Sequence, residues 1–81
     1  MRVTVRLFAR LREAAGASDV TCDVPDGATA ADVWQAAEAR YPGLAPYAAA
    51  VSCAINAEFA RPTATVHEGD EVAFLPPVSG G

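Results

Sequence analysis

The chain of 81 residues has no lysine. Its six basic side chains are all Arg and stand against ten carboxylates, for a formal net charge of −4 and a pI ≈ 4.6. Such a surface lacks the basic stripe that neutralises a phosphate backbone, so nucleic acid is excluded as an expected partner. One His and two Cys cannot furnish the four ligands of a structural zinc, so no metal is expected. Long apolar runs are missing too. The longest stretch without a charge, from Tyr41 up to Glu58, is broken by Pro42, Gly43 and Pro46, and no membrane span is expected. Arg2, Thr4 and Arg6 alternate through the first segment, which is not the basic-then-apolar order of a signal peptide. The length leaves room for one small domain, and the reading that remains is a soluble, cytoplasmic one. Aromatics are scarce at 7%, and 19 residues are Ala, so a few large side chains must carry the core. Cys22 and Cys53 sit in apolar contexts with no CxxC spacing. Two buried, reduced thiols explain them better than a disulfide or a nucleophile.

What is present is well patterned. Val3, Val5 and Leu7 alternate with Thr4 and Arg6, predicting a strand over 3–8. Residues 9–15 are helix formers stopped by Gly16. Val20, Cys22 and Val24 alternate again before the turn Pro25-Asp26-Gly27. Thr29 is placed to cap a helix with Asp32 at the third position, and that helix runs to about Tyr41, where Pro42-Gly43 ends it. Its apolar stripe is Ala30, Val33, Ala37 and Tyr41, with Trp34 beside it. Val51, Cys53 and Ile55 mark a third strand, 58–60 a short fourth, and 71–75 a last one after the turn Glu68-Gly69-Asp70. Strand, helix, strand, long helix and returning strands make an α+β fold, a sheet with one main helix packed on one face.

The end of the chain carries the strongest signal. Pro76 and Pro77 have no N–H with which to extend a ladder, so they end the strand and hold the following residues extended. Val78, Ser79, Gly80 and Gly81 complete the sequence, the last two without side chains. A frayed Gly-ended terminus is the bland alternative. A strand followed at once by a proline stiffener favours a peptide built to thread a channel too narrow for a Cβ.

The run from Glu68 to Gly81, Glu-Gly-Asp-Glu-Val-Ala-Phe-Leu-Pro-Pro-Val-Ser-Gly-Gly, resembles the small subunits of molybdopterin synthase. Phe8-Ala-Arg-Leu-Arg-Glu13 and Ile55-Asn-Ala-Glu58 strengthen the likeness, which spans the whole chain. His67 stands where relatives often carry Lys, Thr or Asp, and it reads as a solvated turn residue. The resemblance implies a ubiquitin-like β-grasp domain over 1–76 with a mixed sheet, and a Gly-Gly tail over 77–81. It implies a sulfur carrier whose Gly81 carboxylate is activated as an acyl-adenylate by an E1-like adenylating enzyme using ATP. The product is a thiocarboxylate that donates sulfur to cyclic pyranopterin monophosphate in forming the molybdopterin dithiolene. Pro76, Pro77, Val78, Ser79 and Gly80 would lie in the channel of the large catalytic subunit, giving a hetero-oligomer. The chain alone would be no enzyme and would bind no cofactor. Two other functions share this chemistry: sulfur delivery for thiamine, cysteine or tRNA thiolation, and conjugation to proteins through Gly81. With no lysine, lysine-linked chains of the protein on itself are excluded.

Alternation also suggests a docking surface. Phe8 falls on the face of Arg2, Thr4 and Arg6, and Leu75 on that of Glu71 and Ala73, away from the expected core. In a β-grasp these two strands are parallel neighbours, so Phe8 and Leu75 meet where the tail departs, and Phe59 completes an exposed apolar patch. The alternative is that strand twist turns one of them into the core. Four Arg precede the first acid, whereas residues 13–81 hold two Arg against ten acids. A solvated face accounts for this. The functional alternative is that Arg10 and Arg12 pair with a partner's acids while Glu68, Asp70 and Glu71, near the tail base, steer it into a basic channel.

Overall fold

In the computed structural model, which describes residues 1–77, β1 (Arg2–Leu7) points Val3, Val5 and Leu7 inward, each at most 2% exposed, and Arg2, Thr4 and Arg6 outward. β2 (Asp19–Asp23) pairs antiparallel to it, with Val5 opposite Val20 and Val3 opposite Cys22, so the inner face is apolar on both strands. Between them α1 (Arg10–Ala15) buries Leu11 and closes on Gly16, whose left-handed φ of 73° lets its N–H donate to the Arg12 carbonyl. The helix starts one residue later than the sequence pattern predicts. Ala9 instead takes φ 51°, ψ −124°, where the chain swings from strand to helix across the two residues Phe8 and Ala9.

α2 (Ala30–Arg40) begins as the sequence indicates. Thr29 Oγ1 accepts from Asp32 N at 3.3 Å and Asp32 Oδ2 accepts from Thr29 N at 2.9 Å, a reciprocal capping box. Ala30, Val33, Trp34 and Ala37 are its buried face, and Tyr41 is a half-buried C-cap. Trp34 meets Phe74 edge-on, with ring centroids 5.0 Å apart and planes at 71°, a favourable geometry for opposed quadrupoles. After Pro42 the chain does not simply stop. Pro42–Tyr47 forms a 3₁₀ helix that inserts Leu44, fully buried, into the core. Its backbone lies so close to α1 that a Cβ on Gly43 would stand 2.6 Å from the Ala14 carbonyl oxygen.

β3 (Ser52–Ile55) and β4 (Glu58–Ala60) form a hairpin turned by Asn56 and Ala57, both at positive φ (51° and 71°), as a two-residue I′ turn requires. β5 (Glu71–Leu75) then enters the middle of the sheet, parallel to β1 and antiparallel to β3, giving the order β2-β1-β5-β3-β4. A mixed sheet with one main helix on one face is the β-grasp arrangement. The start of β5 is pinned by hydrogen bonds. Asn56 Nδ2 donates to Asp70 Oδ1 at 2.9 Å, Glu71 N to Asn56 Oδ1 at 3.0 Å, His67 N to Asp70 Oδ2 at 2.8 Å, and Thr4 N to the Asp70 carbonyl at 2.9 Å. The preceding loop laces onto the start of α2, with Val66 N donating to the Ala28 carbonyl and burying its side chain. Among the described residues no polar or charged side chain is buried, and Cys22 and Cys53 are buried and free.

The close approach at residue 43 yields a first expected outcome. Gly43→Ala should lower stability by about 1–3 kcal/mol, since the new methyl meets backbone and not a yielding side chain. Urea unfolding measures it, and an unchanged midpoint would mean that the 3₁₀ helix does not rest on α1.

Candidate functional site

α2 covers one face of the sheet and leaves the other open. The strand register lays a row across this open face: Asp19 opposite Arg6, Arg6 opposite Ala73, Ala73 opposite Ala54, and Ala54 opposite Phe59. Phe8 and Leu75 lie one step beyond the last β1–β5 pair, Leu7 with Phe74, and Leu75 pairs with Ser52 on its other side. Phe8 is 38% exposed and Phe59 80%, and Leu75 is half-buried. Period-two alternation and the parallel pairing therefore bring Phe8 and Leu75 together. Phe59 stands on the same face two strands away from β5, about 10 Å across the ladder, with small side chains between. Ala54 is itself only 8% exposed although it lies outside the core cluster, which breaks the burial alternation of β3.

Pro76, half-buried, and Pro77, exposed, continue directly from this end of β5. Val78, Ser79, Gly80 and Gly81 lie outside the described residues. α1 opens just after Phe8, so the exposed Arg10 and Arg12 are carried at the same end of β1, and neither forms an ion pair among the described residues.

The acids are elsewhere. Glu68 and Asp70 precede β5, and six strand-like steps from Asp70 to Pro76 separate them from the tail base by about 20 Å. The Glu68 carboxylate instead accepts from Arg2 N at 3.1 and 3.2 Å, at the opposite end of the sheet. Of the three acids expected to steer the tail, only Glu71 lies on the strand, and Arg6 Nη1 donates to it at 3.2 Å. The expectation of acids at the tail base is thus corrected: nearness in sequence becomes distance once the residues between form an extended strand.

Arg6 is the residue that sequence reasoning passed over. Its Nε donates to Asp19 Oδ1 at 3.1 Å and its Cζ lies 5.3 Å from the centroid of the Phe8 ring. Hydrogen bonds to Glu71 and Asp19 hold its guanidinium charged, above the usual Arg range. The signal was available in the i, i+2 spacing of Arg6 and Phe8, but the acids come from two other strands.

Side chains that could perform chemistry do not converge. Burial pushes the Cys22 and Cys53 thiols up, the wrong direction for a nucleophile. His67 is exposed, its Nδ1 3.8 Å from Asp70 Oδ2, as suits a solvated turn. A groove of about 340 Å³ beside α2 has Glu38 as its sole charged lining residue. Among the described residues no three metal-ligating side chains cluster, and no helix is long and apolar enough to cross a membrane.

The model of the ThiS family matches residues 5–81. The chain belongs to the ThiS family. It is 36% identical over its full length to a molybdopterin synthase sulfur carrier subunit of Arabidopsis thaliana, covering 84% of that protein. The crystal structure of small archaeal modifier protein 1 from Haloferax volcanii superposes with a TM-score of 0.87 at 32% identity, all of both chains being covered. The CysO chain of a BexX/CysO complex from Amycolatopsis orientalis gives a TM-score of 0.73 at 26% identity, with 98% of this chain and 99% of that one covered. These solved relatives share the ubiquitin-like β-grasp fold. Proteins similar to this ThiS-family chain are thus both sulfur carriers and protein modifiers by name.

The hydrogen bonds at the start of β5 have a pH signature. Asn56, and after it the His67 backbone N–H, hold the Asp70 carboxyl below its usual range. A depressed folded-state value contributes stability above the unfolded value, lost as pH falls through the folded one. Wild type should thus exceed Asp70→Asn in stability at neutral pH, and the gap should narrow on acidification below the ordinary Asp range. Thermal melts of both proteins at several pH values read it. A gap that stays constant with pH would remove the carboxylate's charge from the explanation.

Proposed function

We propose that this ThiS-family chain is the sulfur carrier subunit of a molybdopterin synthase, and that Gly81 is its reacting residue. The observation that carries the reading is a full-length likeness to sulfur carrier subunits in a chain whose central strand runs straight into Pro76, Pro77 and a Gly-Gly end. A carboxylate is a poor electrophile. An E1-like enzyme would condense the Gly81 carboxylate with ATP, releasing pyrophosphate and leaving an acyl-adenylate. A sulfur donor then displaces AMP and leaves a thiocarboxylate, which is ionised at neutral pH and a better nucleophile than oxygen. Delivered into a large catalytic subunit, that sulfur attacks an oxygen-bearing carbon of cyclic pyranopterin monophosphate, forming a C–S bond as the C–O bond at that carbon breaks. Hydrolysis of the acyl–sulfur bond returns the Gly81 carboxylate for the next round.

The roles of the other residues follow from this chemistry. Pro76, Pro77, Val78, Ser79 and Gly80 form the arm, and glycine at the last two positions admits a channel without room for a Cβ. Phe8, Phe59 and Leu75 form the apolar docking face for the large subunit, with Arg10 and Arg12 at its rim. The carrier supplies a reactive atom and a docking face. Acid–base groups and the site for the pterin phosphate belong to the large subunit, which fits a domain whose thiols are buried and whose His is a surface turn residue.

A second reading is favoured by the match to small archaeal modifier protein 1: an acyl-adenylate at Gly81 could pass to a lysine of another protein. A third use, sulfur delivery in a different thiolation pathway, differs only in the partner that receives the arm.

Intact mass after incubation with the activating enzyme, ATP and a sulfur donor decides the chemistry. The expected change is replacement of one oxygen by sulfur, abolished by deletion of Gly81. Pterin conversion that persists without Gly81 would sink the carrier reading, and Gly81-dependent protein adducts in extracts would support the modifier instead. For the docking face, Phe8→Ala and Phe59→Ala should each weaken binding to the large subunit about tenfold or more. Phe59→Ala should leave stability within about 0.5 kcal/mol, since its ring is in water. Titration calorimetry beside urea unfolding separates these effects, and equal affinity of both variants with wild type would move the interface elsewhere.

A further inference from the structure

The open face poses an electrostatic problem for any partner that covers it. Phe8 and Leu75 ask to be dehydrated, yet Asp19 and Glu71 stand on the same face, Asp19 in the row of Arg6 and Glu71 four residues back along β5 from Leu75. A carboxylate taken out of water without a partner is costly, far more so than one left exposed. Arg6 lies between the two. It donates from Nε to Asp19 at 3.1 Å and from Nη1 to Glu71 at 3.2 Å, crossing from β2 over β1 to β5, while its Cζ lies 5.3 Å from the Phe8 ring centroid. Arg2, the other outward Arg of β1, is committed at the far end of the strand to Asp23 at 3.0 Å.

We propose that Arg6 is a positioning residue of the docking face: by hydrogen-bonding Asp19 and Glu71 together beside the apolar patch, it gives each carboxylate a cationic partner when a large catalytic subunit covers Phe8 and Leu75. The proposal rests on the sulfur carrier reading and deepens it. The side chains of Arg6, Asp19 and Glu71 are 44%, 62% and 46% exposed. In the free protein such water-screened pairs contribute little to stability. In the complex the same charges lose their water, and their pairing then decides whether docking is favourable. The planar guanidinium suits the task, since it offers separate N–H groups to two acids while its face lies against an aromatic ring.

This asymmetry between folding and docking is the test. Binding of the purified large subunit is measured by calorimetry for wild type, Arg6→Gln, Arg6→Lys, and Arg6→Gln combined with Asp19→Asn and Glu71→Gln, with melting temperatures alongside. Arg6→Gln should lose about tenfold in affinity while its melting temperature moves by no more than about 3 °C. Arg6→Lys, which keeps the charge but not the fork that reaches both acids, should bind more tightly than Arg6→Gln and more weakly than wild type. The triple variant should recover most of the loss, because no carboxylate is left to strand. Arg6→Gln binding as wild type does, or a triple variant no tighter than Arg6→Gln, overturns the inference. Failure of wild type to bind the large subunit overturns the sulfur carrier reading, and this inference with it.

Discussion

The parallel pairing of β1 with β5 at the centre of the sheet is the constraint on which the rest depends. It places Phe8 beside Leu75, and it sends the chain out at the end of the sheet where α1 begins. Were β5 antiparallel to β1, the same sequence would leave beside Met1, far from Phe8. A parallel pair needs a long crossover, and here β2, α2, the 3₁₀ helix and the β3–β4 hairpin are all accommodated within it. A one-residue slip would turn Phe74 outward and Leu75 inward, exchanging a core residue with a docking residue. Inward burial of Val5, Leu7, Val72 and Phe74 opposes that slip, and so do the hydrogen bonds that Asn56 and Asp70 make at the start of β5.

The two faces of the sheet use side-chain volume differently. The inner face and its helix take nearly all the large apolar groups, with Phe74 packed edge-on against Trp34 and leucines arriving from β1, α1 and the 3₁₀ helix. Small residues do complementary work. Ala30 and Ala37 keep α2 close to the sheet, and Gly43 lets the 3₁₀ helix reach α1. On the outer face, Ala73 and Ala54 form a low floor between Leu75 and Phe59, so the aromatic rings stand proud at either side. An alanine-rich composition, which looks poor for a core, thus suits a thin domain that must be close-packed on one side and flat on the other.

Local patterns were legible in the residues themselves. The one long-range placement expected, the parallel pairing of β1 with β5, came from the family resemblance, and the rest was not legible. Alternation marks β1, β2 and β5, and Thr29 with Asp32 marks the start of α2, because those signals depend on neighbours a few residues apart. Leu44 and Val66 are buried from segments without periodicity, so nothing local marks them as core. Ala54 is buried on the face that alternation assigns to solvent, which only the neighbouring strands can bring about. The placing of Glu68 and Asp70 by the tail failed for a related reason. Eleven residues or fewer separate them from Gly80 in the sequence, but an extended strand converts short separation into the largest distance the chain can span. The Arg6 bridge needs acids from β2 and β5, so its meaning exists only in the folded sheet.

That correction reverses the electrostatics of the docking end. With Glu68 engaged by the Arg2 backbone and Asp70 by Asn56 and His67, the charges that α1 carries at the exit end are the cations Arg10 and Arg12 and the single acid Glu13. A net acidic protein therefore carries, at the end from which Pro77 leaves, two cations that form no ion pair among the described residues. Long-range attraction follows the total charge, whereas orientation on contact follows the local charge. A partner that draws the domain in by a positive overall field and meets Arg10 and Arg12 with carboxylates at its channel mouth would select the arm end over the opposite end, where Glu68, Asp70 and Asp26 lie. On the proposed role, Arg6 would act at the next step, when the apolar patch between rim and strand is stripped of water. In the proposed complex charge thus serves three separate distances: the field of the whole molecule, the rim at contact, and the acids bridged by Arg6 beneath the interface.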